Sequence, residues 1–102
     1  MLVSVELRGH EAPGLDFKRR GEVIAIMNKI HGRPVSITVT DDSPIKDSPI
    51  ITKVLESVDE KIRGALTVFR VRYNNNPLDL AKTFVDYKIG QGAILVVDAL
   101  VQ

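Results

Sequence analysis

The sequence predicts an α/β fold, a single-domain two-layer sandwich in which four strands and three helices alternate as βαβαβαβ with all three helices on one face of the sheet. Three observations predict it. β-Branched runs with alternating polarity recur along the chain, and the intervals between them carry apolar residues at helical spacing. Those intervals are also bracketed by capping residues. Ser48-Pro49 and Asn76-Pro77 each place a side-chain acceptor at an N-cap and a proline, which has no N–H to satisfy, at the first helical position. Asp16 can cap the first helix in the same way. Gly32, Gly64 and Gly90 stand where a left-handed residue would end each helix, preceded by Lys29, Lys61, Arg63 and Lys88, whose charge suits the carboxyl end of the dipole.

The first strand is read over 2–8, with Val3, Val5 and Leu7 on one face and Ser4, Glu6 and Arg8 on the other. After a loop, a helix over 16–31 places Val23, Ile24, Met27 and Ile30 on one stripe. The second strand, 35–40, buries Val35, Ile37 and Val39 and turns Ser36, Thr38 and Thr40 the other way. A polar turn leads to a helix over 49–63, where Ile51, Val54, Leu55, Val58 and Ile62 recur at spacings of three and four. The third strand, 66–73, opposes Phe69, Val71 and Tyr73 to Val68, Arg70 and Arg72. Asn74, Asn75 and Asn76 then turn the chain into a helix over 77–89 with Leu78, Ala81, Phe84 and Val85 as its stripe, and the fourth strand is 92–101.

Helices on both sides of a parallel sheet would require strands apolar on both faces, whereas three of these strands have one polar face. The helices therefore share one side. The opposite, open face carries Glu6, Arg8, Thr38, Arg70 and Arg72, together with Ser4, Ser36 and Thr40. If every crossover is parallel and right-handed, the strand order advances 1-2-3-4 and the last strand lies at an edge. That strand is apolar on both faces: Leu95, Val97, Ala99 and Val101 on one, and Ile94, Val96 and Leu100 around Asp98 on the other. Leaving the second set in water is costly. The expectation is a homo-oligomer whose interface contains Ile94, Val96, Asp98 and Leu100; the alternative is a central position shielded by long side chains of neighbouring strands.

Fourteen basic and 13 acidic side chains leave a net charge of +1, so bulk attraction to nucleic acid or anionic lipid is excluded and only a local patch could bind either. With no cysteine there is no thiolate chemistry, disulfide or zinc ribbon. No apolar run reaches the roughly 18 residues of a membrane span, and the start lacks the pattern of a signal peptide, which points to a soluble protein of the cytoplasm.

Candidate chemistry is sparse. Asp98 among aliphatic residues can be a general acid or base, but Arg70 or Arg72 on a neighbouring strand can pair with it across the sheet, and the structural pair is the better reading. Lys18, Arg19 and Arg20 place positive charge at a helix start, against the dipole, and could recruit an anion there. Asp41, Asp42 and Asp47 after the second strand, with His10 and Glu11 after the first, would form a cluster only if those strands ran parallel side by side. Neither a bound metal nor a cofactor is expected. The reading is a small non-catalytic interaction module that self-associates through its last strand and binds a protein on its open face. The alternative is a nucleic-acid binder using Arg8, Arg70, Arg72 and the basic turn, and a small-ligand or metal-dependent enzyme at the strand ends comes last.

Overall fold

The computed structural model describes residues 1–32 and 34–102. Its strands are β1 (Leu2–Glu11), β2 (Val35–Thr38), β3 (Leu66–Tyr73), β4 (Asn76–Pro77) and β5 (Ile94–Val101). Its helices are α1 (Arg20–Ile30), α2 (Ile50–Glu56) and α3 (Glu60–Arg63), with short 3-10 turns at Phe17–Arg19, Ile45–Asp47 and Val85–Tyr87. The chain is thus a mixed α/β fold, with a five-stranded sheet and three helices among the described residues. The expected four strands and the βαβαβαβ order do not hold.

The sheet runs β2-β1-β5-β3-β4, with β1 and β5 parallel and every other neighbouring pair antiparallel. This overturns the steady 1-2-3-4 order. The last strand is held between β1 and β3, so its backbone donors and acceptors are already paired and it presents no edge for strand addition. A chain segment that returns from α1 antiparallel to β1 leaves the other side of β1 free for β5.

The alternation of polarity assigns faces as expected. Val3, Val5, Leu7, Leu95, Val97, Ala99 and Val101 are buried on the helix side, and Val23 and Ile30 of α1 and Ile50 and Val54 of α2 belong to the same core cluster. Gly9 of β1 lets α1 approach closely: a Cβ there would lie 2.7 Å from Val101 Cγ2 and 3.0 Å from Ile30 Cδ1.

The expected helix over 49–63 is two helices. Ser57 Oγ donates to the Val54 carbonyl, and Asp59, in an extended conformation, accepts from Lys61 N at 2.9 Å to start α3. Ser48 does not cap α2; its hydroxyl donates to the Ile45 carbonyl at 2.6 Å and closes the preceding 3-10 turn. Asp16 does cap, at 3.1 Å from Lys18 N, but the turn it caps is 3-10 and leads into α1. Of the three glycines, only Gly32 adopts the left-handed conformation; Gly64 is right-handed, and after the last 3-10 turn the left-handed residue is Lys88 rather than Gly90.

The helix expected over 77–89 is absent. Asn74 and Asn75 both have positive φ, 50° and 64°, which closes a two-residue hairpin and pairs Asn76 and Pro77 back onto Tyr73 and Arg72. The backbone beyond is satisfied by distant partners instead of its own helical carbonyls: Ile45 N donates to Lys82 O, Lys46 N to Leu80 O, and Val85 N to Asp41 O. Phe84 is fully buried and Val85 exposed, so the apparent helical stripe is a core plug on an irregular segment.

β3 and β5 are in register at both ends but not between. Leu66 opposes Val101 and Thr67 opposes Leu100, then Arg70 opposes Asp98, so Val68 and Phe69 together face Ala99 in a bulge. The extra residue switches which parity of β3 faces the core, from Leu66 before it to Val71 after it. Val68 takes φ +54°, a left-handed conformation that β-branched residues almost never adopt.

Candidate functional site: the open sheet face

The face away from the helices is arranged in cross-strand rows. Ser4 stands between Ser36 and Ile94, Glu6 beside Val96 and Arg72, Arg8 beside Asp98 and Arg70, and His10 beside Leu100 and Thr67. The second apolar set of β5 is therefore shielded in part by the long side chains of β1 and β3, the alternative weighed from sequence. Val96 and Leu100 are half-buried between those neighbours, whereas Ile94, paired with the short Ser4 on one side and with no residue of β3 on the other, is 62% exposed.

Asp98 organises the polar part. Arg72 Nε donates to Oδ2 and Arg72 Nη2 to Oδ1 at 3.1 Å, a two-pronged clamp reached diagonally because Arg72 stands opposite Val96. His10 Nε2 lies 2.7 Å from Oδ1, and Arg72 is braced in turn by Nη1 donating to Asn75 Oδ1 at 3.1 Å. The hairpin of left-handed asparagines thus serves the face as well as the turn. Burial opposes ionisation of Asp98, but the hydrogen bonds from Arg72 and His10, with the charge of both, outweigh it and hold the carboxyl below its ordinary range. The same hydrogen bond raises the pKa of Arg72. Since Asp98 is an acceptor only, His10 Nε2 carries the hydrogen and Nδ1 is left without that partner.

The structural pairing expected for Asp98 is present, made by Arg72. Arg70, directly opposite Asp98, has no carboxylate partner among the described residues. Arg8 reaches Glu6 with one nitrogen at 3.4 Å while its Nε is buried and unpartnered. Thr38 lies exposed on the outermost strand, in the row of Leu2, three rows from that of Arg8 and Arg70. Of the basic turn, Arg19 pairs with Glu22 at 3.7 Å and Arg20 with Glu11 at 3.1 Å, leaving Lys18 with no carboxylate partner among the described residues.

His10 does not meet Asp41 and Asp42. Because β2 is antiparallel to β1 and ends beside Leu2, those carboxylates follow the opposite end of β1, eight residues or about 26 Å from His10. Among the described residues no three histidine or carboxylate side chains gather as a metal site would require. Two residues without a site role in the sequence reading complete the face: Val68 and Ala99, with His10, Arg70, Asp98 and Leu100, line a cavity of about 210 Å³ beside the bulge. A valine within a strand carries no signal of a left-handed bulge, so this cavity had no sequence signature.

Among known proteins, no family model matches this chain, and no curated protein matches it either. No helix among the described residues is long and apolar enough to cross a membrane.

Proposed function

We propose that this protein is a non-catalytic interaction module whose open sheet face docks a protein partner carrying apolar side chains and acidic groups. The observation that carries the reading is the uncovered face of the central strand β5, where Ile94, Val96 and Leu100 form an apolar strip rimmed by Arg8, Arg70 and Arg72. An apolar centre with a polar, charged rim is the anatomy of a docking surface. Glu6 and Asp98 offset two of the three guanidiniums, so the face keeps a positive excess that favours an acidic partner.

Self-association is the second reading, favoured by the exposed apolar corner of Leu2 and Ile94 away from the arginines. Through β5 it would be face to face, since that strand has no free edge, and would bring like-charged rims together. The nucleic-acid reading loses ground because Arg72, Arg19 and Arg20 each have a carboxylate partner. Two or so remaining cations would give a salt slope of only about −2 on duplex DNA.

The test places a photo-crosslinking residue at position 94 and, as control, at the exposed Ile24 of α1. A discrete adduct from position 94 alone, whose purified partner binds in a mixture of the two proteins and is weakened by Arg70→Glu, supports the reading. Identical adducts from both positions, or none from position 94, refutes it. Light scattering at tens of micromolar distinguishes the second reading: a dimer lost on Ile94→Asp would establish it.

A further inference from the structure

We propose that the cavity beside the β3 bulge receives an acidic side chain of the docking partner, an Asp or Glu next to an aliphatic residue; this rests on the open-face reading above and names its anchor. The cavity of about 210 Å³ is walled by the aliphatic groups of Val68, Ala99 and Leu100 and by the polar ends of His10, Arg70 and Asp98. Its electrostatics select a carboxylate. Asp98, the only acid lining it among the described residues, is held by Arg72 and His10 and has no charge to spare for an incoming cation. Arg70 stands in the same cross-strand row, opposite Asp98, and is left with no carboxylate among the described residues. A guanidinium in that position offers the paired donors that a carboxylate accepts. The imidazole of His10 contributes a second polar wall, oriented through the Nε2 contact to Asp98 at 2.7 Å.

The bulge supplies the cavity's shape. Two residues facing one interrupt the β3–β5 ladder, and the left-handed backbone of Val68, 56% exposed, keeps an aliphatic group on the rim where a regular strand would continue its pairing. A β-branched residue in this conformation is strained, and strain of this kind concentrates where a surface is shaped for binding. The apolar walls fit an aliphatic neighbour of the acid, because Leu100 and Val68 would be partly covered by it.

The test titrates the ¹⁵N-labelled chain with two acetylated, amidated tetrapeptides, Ala-Glu-Leu-Ala and Ala-Gln-Leu-Ala, and follows backbone amide shifts. The Glu peptide is expected to shift His10, Val68, Arg70 and Leu100 saturably and to bind about fivefold tighter than the Gln peptide, the effect of one partly exposed ion pair. Arg70→Gln, in a protein with an unchanged far-UV spectrum, should erase that difference while leaving shifts at Val68 and Leu100. Equal binding of both peptides on the open face overturns the acidic anchor and leaves the docking reading standing. Shifts confined to other surfaces, or none from either peptide at about 10 mM, tenfold above a ~1 mM contact, overturn both.

Discussion

Replacing Asp98 by Asn removes the charge that holds the open face together while leaving its volume almost unchanged. Asp98 is 16% exposed and Arg72 24% exposed, so the clamp between them is partly screened. A hydrogen bond to a charged group contributes about 1.5–3 kcal/mol when buried, whereas a fully exposed pair contributes about 0–1 kcal/mol. His10, 52% exposed, belongs near the second range. The expected loss on Asp98→Asn is therefore about 2 kcal/mol at pH 7, most of it from Arg72. The sign of the pH dependence follows from the lowered pKa of Asp98. Its contribution is present in full above the unfolded value near 3.9 and disappears as pH falls through the lower folded value. The gap between wild type and Asp98→Asn should accordingly be widest near neutrality and close in acid. Urea unfolding of both proteins at a series of pH values from 7 to 2 measures it. A loss under about 0.5 kcal/mol at pH 7, or a gap that does not shrink on acidification, would refute a stabilising ion pair here.

Three further outcomes follow from the packing. Gly9→Ala should cost about 1–3 kcal/mol through overpacking against Val101 and Ile30, and less when combined with Val101→Ala, as read by the shift in denaturant midpoint. Phe84→Ala should cost about 3–5 kcal/mol while Val85→Asp costs under about 0.5 kcal/mol, because one fills the core and the other is exposed; similar losses at both would restore the helical stripe. Val68→Asn, which tolerates the left-handed backbone, should raise stability by about 0.5–1 kcal/mol in thermal unfolding, and a loss of that size would show that Val68 is not strained.

The candidate face was legible in part. Alternation places Glu6, Arg8, Arg70 and Arg72 on it, and a pair between Asp98 and Arg70 or Arg72 is readable because all three fall on the open face if their strands are neighbours. Which arginine makes the pair was not legible: Arg70 faces Asp98 in register, yet Arg72 reaches it diagonally and takes both oxygens. Nor was the His10 contact, which exists because β1 runs on to Glu11 alongside β5 instead of ending at Arg8.

By itself the sequence determined what is local: the extent of β3, the face that β1, β2 and β5 bury, the cap at Asp16 and the left-handed Gly32, each a property of a few consecutive side chains and their backbone. Tertiary structure decided what depends on remote partners. The segment after Asn76 has the spacing of a helix, but two left-handed asparagines fold it back on β3 and its amide partners lie some 40 residues earlier, near Asp41 and Ile45, so propensity yields to long-range hydrogen bonds. Strand order was settled in the same way. A connection long enough for a parallel crossover also permits an antiparallel return, and only the common burial of β1, β5 and the helices in one core put the most apolar strand at the sheet's centre.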